Sequence, residues 1–246
     1  METQDLRIKE IPATIWGSRS NRVYLYVHGQ GGNKEEAKDF AVIASEYGYQ
    51  VLSIDLPEHG ERKKEDISFE PWNVVSELSC VMAYCKQQWK EICLFANSIG
   101  AWFSMLAFSD EKIKRCLFVS PVVDMADLIK NMMVWANVSE LQLEREKLIS
   151  TDFGQTLSWS YWLYVQEHPI KSWKVPTRIL YGEKDNLIGR STIETFCRKF
   201  QSELTVMKDG EHWFHTKPQL DVLTGWAKRS FQLENIHKNK GHIRDR

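Results

Sequence analysis

The chain has 246 residues, which is enough for one large α/β domain with a full core or for two small domains. Its 32 Lys and Arg residues are balanced by 33 Asp and Glu residues, so no excess of positive charge points to a nucleic-acid partner. The five cysteines contain no C-x-x-C pair, the N-terminus is polar, and no apolar run reaches the ~20 residues of a membrane span. We therefore expect a cytoplasmic protein with reduced thiols, without a zinc site and without a membrane span.

Apolar, strand-like segments recur along the chain at the spacing of a βα unit. They are residues 11–16, 22–27, 50–55, 92–95, 116–120, 177–181 and 204–207. Amphipathic helices are predicted between several of them, at 34–47, 74–89 and 191–200. Continuous apolar strands separated by helices predict a mostly parallel sheet covered on both faces. A Gly/Ser/Asn cluster at 17–21 predicts a hairpin between the first two strands, and therefore a mixed sheet at that edge.

Residues 122–173 interrupt this alternation. The segment is predicted to be helical without any strand, and it holds four of the ten tryptophans and three of the seven methionines. Part of this apolar set must form a core for the insert itself, but Met and Trp at this density suit an adaptable surface over a pocket. The predicted pocket residues are Met132, Trp135, Trp159 and Trp162. The polar residues 234–246 are predicted to be a flexible tail.

A sharp turn joins the strand at 92–95 to an apolar, helix-compatible run that begins at Ala101. Its apex is Ser98, with the small residues Ala96 and Gly100 two positions away on either side, as a tight strand-to-helix turn requires. Such a turn would expose the Ser98 hydroxyl beside the backbone N–H groups of a helix start. The alternative is a serine helix cap with a packing glycine.

This turn and three further stretches of the sequence resemble motifs of the α/β-hydrolase family. Ala96 to Gly100 resembles its G-x-S-x-G nucleophile elbow, with Ala replacing the first Gly. Residues 28–32, H-G-Q-G-G, are similar to the H-G-x-G-G turn that supplies an oxyanion donor, and residues 55–60 look like its D-x-x-G-H-G loop, from which Pro57-Glu58 depart. Residues 210–214, G-E-H-W-F, resemble its G-x-x-H-x-F ending, with the glycine two before the histidine.

The resemblance implies the α/β-hydrolase fold, with a core of residues 1–121 and 174–233 and a small helical cap, 122–173, inserted after the sixth family strand. It also implies a catalytic triad of Ser98, Asp185 and His212, because the acid and the histidine follow later strands in that order. The backbone N–H groups of Gln30 and Ile99 would hold the oxyanion.

Each member of this set also has a structural interpretation. Asp185 could be a turn or capping residue and His212 a loop histidine. Asp124, after the strand that ends at Ser120, is an alternative acid. His28 is interpreted as a residue that fixes the turn, and not as a second base.

The predicted activity is hydrolysis of a carboxylic ester of a small or acyl-chain substrate through an acyl-enzyme. Alternatives are a thioesterase, peptidase or carbon–carbon hydrolase with the same triad, or a non-catalytic binding protein of the same fold. No cofactor is implied: residues 28–32 lack G-x-G-x-x-G, and the two histidines of 211–215 are not spaced as in H-E-x-x-H. The expected partner is a small ester or acyl molecule, with neither a nucleic acid nor a metal.

Overall fold

A computed structural model describes the backbone of residues 1–241 and the side chains of residues 1–233. Ten strands are present in this part of the chain: β1 (Thr3–Ile8), β2 (Ile11–Trp16), β3 (Arg22–Val27), β4 (Gln50–Ile54), β5 (Glu91–Asn97), β6 (Cys116–Val119), β7 (Leu148–Ser150), β8 (Thr156–Ser158), β9 (Thr177–Gly182) and β10 (Glu203–Met207). The α-helices are α1 (Ala37–Glu46), α2 (Pro71–Gln88), α3 (Ile99–Ala107), α4 (Met125–Trp135), α5 (Glu140–Glu146), α6 (Trp159–Glu167), α7 (Arg190–Phe200) and α8 (Lys217–Gly241).

Eight of the strands form one sheet in the order β1-β2-β4-β3-β5-β6-β9-β10. The pairs β1–β2 and β2–β4 are antiparallel, and all the other pairs are parallel. Helices α2, α3 and α7 and the insert cover one face of the sheet, while α1 and α8 cover the other. The predicted mostly parallel sheet with helices on both faces is thereby confirmed, and its carboxyl edge carries the loops after β3, β5, β9 and β10.

The hairpin at the sheet edge was predicted at the wrong place. It joins β1 to β2 through Lys9 and Glu10, with Lys9 at a φ of 53°. Residues 17–21 instead lead to β3, which is separated from β2 by β4. The sequence did not reveal β1 because Ile8 is the one fully buried residue of that strand.

The insert contains a short hairpin as well as helices. Strands β7 and β8 pair in antiparallel fashion between α5 and α6, so the prediction that the insert holds no strand was wrong. Each strand has three residues, and of the six only Leu157 is fully buried, which leaves no recognisable apolar alternation.

Helix α8 is the last element of the described chain. Helix α8 begins at Lys217 and its backbone reaches Gly241, so the predicted tail lies outside the described residues apart from this helical backbone. Within the described chain, no helix combines the length and the apolar character needed to cross a membrane.

Candidate active site

Ser98 occupies the turn between β5 and α3. Its φ is 48°, a left-handed conformation that is strained for a residue with a Cβ and that two hydrogen bonds to the β6 region hold in place. The Ser98 N–H donates to the Val119 carbonyl at 3.0 Å, and the Ser98 carbonyl accepts from the Val122 N–H at 3.0 Å. The side chain makes no capping hydrogen bond to α3, so the helix-cap alternative does not describe it.

The turn after β3 packs directly against this elbow. A Cβ added to Gly100 would lie 2.4 Å from the His28 carbonyl oxygen, and one added to Gly29 would lie 3.1 Å from the Ser98 Cβ. Position 100 therefore has no room for a side chain, whereas Ala96 fits within the buried end of β5. This close approach brings the residues of the two turns to one point above the sheet edge.

His212 and Asp185 complete a continuous series of hydrogen bonds with Ser98. The Ser98 Oγ lies 2.8 Å from the His212 Nε2, and the His212 Nδ1 lies 2.7 Å from the Asp185 Oδ2. A carboxylate cannot donate, so the Nδ1–H donates to Asp185 and the Nε2 is left to accept the Ser98 proton. The three residues predicted from separate parts of the sequence thus meet at one place.

The Asp185 carboxylate is fully buried and fixed by the loop that follows β9. Its Oδ1 accepts from the N–H groups of Leu187 and Ile188, at 2.9 and 3.0 Å, while Oδ2 faces the imidazole. The alternative acid, Asp124, caps helix α4, where its Oδ1 accepts from the Asp127 N–H at 3.0 Å. Of the two candidates, Asp185 is the one in contact with His212.

Two histidines fix the turn of residues 28–32. The His28 Nε2 accepts from the Leu56 N–H at 3.0 Å, and its Nδ1–H donates to the Gly29 carbonyl at 2.7 Å. The His59 Nε2 accepts from the Gly31 N–H at 2.9 Å in the same manner. Burial lowers the pKa of His28 to about 4, in keeping with a neutral ring that accepts a hydrogen bond. His28 is therefore structural as predicted, and the contribution of His59 was not anticipated.

A large cavity of ≈ 930 Å³ opens beside Ser98 and His212, beneath the insert. Gln30 and Ile99 line it next to Ser98, and its apolar wall comes mainly from the insert: Met125, Leu128, Ile129, Met132, Trp135, Phe153 and Leu157. The Gln30 side chain also donates to the Gln155 Oε1 of the insert at 3.0 Å. The predicted oxyanion residues and the insert thus border one space.

Only two of the four predicted pocket residues, Met132 and Trp135, line this cavity. The assignment of Trp162 to the pocket is wrong: it is 1% exposed, packs into the core, and donates its Nε1–H to Glu140. Trp159 does not line the cavity either, and it packs against the core with the Lys147 ammonium 5.5 Å from its ring centre. Both tryptophans contribute to the hydrophobic core that the insert shares with the sheet and its helices.

A second cavity of ≈ 600 Å³ reaches Ser98 and His212 from the opposite side and carries the carboxyl groups of Glu36 and Asp39. The larger cavity carries those of Glu58 and Glu70. No Lys or Arg is present among the described residues that line either cavity. In the same described part of the chain, no group of three His, Cys, Asp or Glu side chains could hold a metal ion.

Comparison with known proteins gives matches at the level of structure alone. No family model matches the sequence, and neither does any curated protein. Est1E from Butyrivibrio proteoclasticus, solved with ferulic acid bound, is 20% identical, and the match covers 95% of this chain and 99% of that chain with a TM-score of 0.73. A monoglyceride lipase from Saccharomyces cerevisiae is 14% identical over 94% of each chain, with a TM-score of 0.64. The thioesterase domain from the curacin biosynthetic pathway is 18% identical over 92% of this chain and 99% of its own, with a TM-score of 0.61. The strand order, the turn at Ser98 and these neighbours together establish that the chain has the α/β-hydrolase fold.

Proposed function

We propose that this protein is a serine hydrolase that cleaves a carboxylic ester through an acyl-enzyme. The observation that carries the proposal is the series of hydrogen bonds from the Ser98 Oγ to His212, at 2.8 Å, and from His212 to Asp185, at 2.7 Å. A serine hydroxyl becomes an effective nucleophile when a base accepts its proton and a buried carboxylate orients that base. All three parts are within hydrogen-bonding distance without any rearrangement.

The reaction follows from this geometry. The Ser98 Oγ attacks the ester carbonyl carbon while the His212 Nε2 takes its proton, and the carbonyl oxygen becomes an oxyanion held by the N–H groups of Gln30 and Ile99. The C–O bond to the leaving alcohol then breaks as the imidazolium returns the proton to that alcohol. Water, deprotonated by His212, cleaves the acyl-enzyme and releases the acid. Residues 122–173 act as the cap that covers the acyl group during this cycle.

The charges around Ser98 argue against an anionic substrate. Glu58 and Glu70 in one cavity, and Glu36 and Asp39 in the other, would repel a phosphorylated carrier such as coenzyme A, and none of the lining residues that the structure describes is a cation that would offset them. One of the structural neighbours is named a monoglyceride lipase, which agrees with an ester. The thioesterase neighbour makes an uncharged acyl thioester the second candidate substrate.

Labelling with a fluorophosphonate tests the nucleophile. The adduct should map to Ser98 and disappear in Ser98→Ala. Ser120→Ala is a matched control, because Ser120 also ends a buried strand at positive φ, 43° against 48° for Ser98, yet its hydroxyl has no hydrogen-bond partner among the described residues. This control should keep the Ser98 adduct. A folded wild-type protein without any adduct would identify a non-catalytic member of the fold.

A substrate panel then tests the bond. p-Nitrophenyl acyl esters should be hydrolysed with a higher kcat/KM than the matching acyl-coenzyme A thioesters, with acyl-N-acetylcysteamine thioesters as the uncharged thioester control. If the kcat/KM for the uncharged thioesters exceeds that for the esters, the protein is a thioesterase. If the coenzyme A thioesters are the best substrates, the electrostatic reasoning is wrong.

A further inference from the structure

Two residues that line the larger cavity, Glu70 and Tyr161, each have a buried polar atom without a hydrogen-bond partner among the described residues. These atoms are the Glu70 Oε2 and the Tyr161 hydroxyl oxygen. A buried carboxylate or phenol normally pairs with another polar group, because an unpaired one loses its hydration without compensation. Such unpaired groups beside a candidate active site indicate that an atom of a bound ligand supplies the missing hydrogen bonds.

The fold holds both side chains in place without using their polar ends. Tyr161 lies on α6, where its ring stacks on Trp102 with centroids 6.0 Å apart and its backbone N–H donates to the Ser158 Oγ. Glu70 directly precedes α2, and its side chain makes no capping hydrogen bond there. Burial, and then the neighbouring carboxylate of Glu70, raise the pKa of Tyr161. Burial and the proximity of Glu58 raise the pKa of Glu70.

We propose that Glu70 and Tyr161 form a polar subsite that binds a hydroxyl group carried on the otherwise apolar acyl chain of the substrate. A hydroxyl fits both partners, since it donates its proton to the Glu70 carboxylate and accepts the proton of the Tyr161 hydroxyl. A methyl terminus leaves both unpaired, and an ammonium would leave the Tyr161 proton without an acceptor. A carboxylate is repelled by Glu58 and Glu70. The proposal rests on the proposed function only in assigning the larger cavity to the acyl chain.

Matched pairs of methyl esters test the subsite. Each ω-hydroxyalkanoate, from hydroxyhexanoate to hydroxydecanoate, is compared with the unsubstituted alkanoate of the same chain length. Turnover is measured with the wild type, and binding is measured with Ser98→Ala, which holds the ester without cleaving it. At the chain length that reaches the subsite, we expect the hydroxy ester to be favoured by about 10- to 100-fold in kcat/KM and in Kd, the range of one hydrogen bond to a charged group.

Variants then assign the preference to the two side chains. Tyr161→Phe and Glu70→Met should each bring the ratio between hydroxy and unsubstituted ester close to one, with no loss of Tm, because each removes a buried group that lacks a partner. Glu70→Gln keeps an acceptor and should retain part of the preference. Tyr164→Phe is the matched control, one turn further along α6 and outside the lining of the cavity, and it should keep the full ratio. A purely structural role would change both esters of a pair alike.

The other possible results of these experiments also show whether the proposed subsite is correct. Equal Kd values for the two esters at every length, in the Ser98→Ala background, would overturn it, as would tighter binding of the ω-aminoalkanoate esters than of the hydroxy esters. A preference that survives both Tyr161→Phe and Glu70→Met would place the hydroxyl site elsewhere. If the wild type cleaves no ester but the Kd ratios follow the expected pattern, the hydrolase proposal fails and the subsite stands.

Discussion

Replacing Trp162 and Trp135 separately by Ala distinguishes a core residue from a pocket residue within the insert. Trp162 is 1% exposed and Trp135 is 48% exposed. Truncation of a fully buried tryptophan costs about 3–5 kcal/mol through lost burial and the cavity left behind. The Trp162→Ala variant also loses the hydrogen bond from its Nε1–H to Glu140, at 3.1 Å. Trp135 buries about half of its side chain and leaves no enclosed cavity, so Trp135→Ala should cost about 1–2 kcal/mol.

Urea unfolding and an acyl-chain series measure the two effects. Trp162→Ala should lower the free energy of unfolding by about 3–5 kcal/mol, which corresponds to about 6–20 °C in Tm for a chain of this size. Trp162→Phe, which keeps most of the apolar volume, should lose less. Trp135→Ala moves back one wall of the ≈ 930 Å³ cavity, so its kcat/KM should rise for longer acyl chains relative to acetyl. Its fluorophosphonate labelling should be unchanged.

One result would refute this distinction. If Trp162→Ala unfolds at the same urea concentration as the wild type while its chain-length profile changes, the Trp162 side chain faces the substrate. The assignment of Trp162 to the core of the insert would then be wrong. An unchanged profile in Trp135→Ala, on a folded protein, would mean that the acyl chain does not reach Trp135.

Three other changes test the site and its support. Gly100→Ala puts a Cβ at 2.4 Å from the His28 carbonyl oxygen, so kcat for ester hydrolysis should fall by more than about 10²-fold, and a wild-type kcat would contradict this close approach. Asp185→Asn should lower kcat by about 10⁴-fold, measured beside Asp124→Asn, which should remain active; the reverse pattern would make Asp124 the acid. Burial lowers the pKa of His28 to about 4, so protons bind the unfolded chain first as the pH falls. The contribution of His28 to the free energy of unfolding is complete above about pH 6.5 and decreases by about 2 kcal/mol by about pH 5. Urea unfolding should therefore show a smaller pH dependence of stability for His28→Gln than for the wild type.

The strands and helices of the main sheet could be predicted because their signals are local. Continuous apolar runs such as β5, and apolar residues at helical spacing in α1, are visible within about ten residues of sequence. Strand pairing is not local, so the sequence did not show that β4 lies between β2 and β3. The exposed edge strand β1 and the three-residue strands β7 and β8 bury too few side chains to leave a pattern.

The residues of the candidate site were likewise only partly predictable from the sequence. Ser98, Asp185 and His212 each follow a recognisable strand, and the resemblance to α/β-hydrolases implied that these three positions meet. The pocket depends on which side of a helix faces the cavity, and residue type alone does not decide this. In α6, Trp162 and Val165 are both buried at a spacing of three residues, a signal that could have assigned Trp162 to the core. Tyr161, one position earlier, lines the cavity instead.

The cavities around Ser98 carry a local excess of negative charge that the composition of the whole chain does not show. The whole chain has a net charge of −1, which predicts no preference for either sign of substrate. The two cavities that meet at Ser98 nevertheless carry four carboxyl groups, and no described lining residue is a Lys or an Arg. Glu36, Asp39 and Glu58 are exposed and are screened by water and salt, whereas the half-buried carboxylate of Glu70 is screened less and acts more strongly. Selection against anionic substrates therefore follows from where the carboxylates lie, and the same carboxylates, where one of them lacks a partner, favour a substrate that can donate a hydrogen bond.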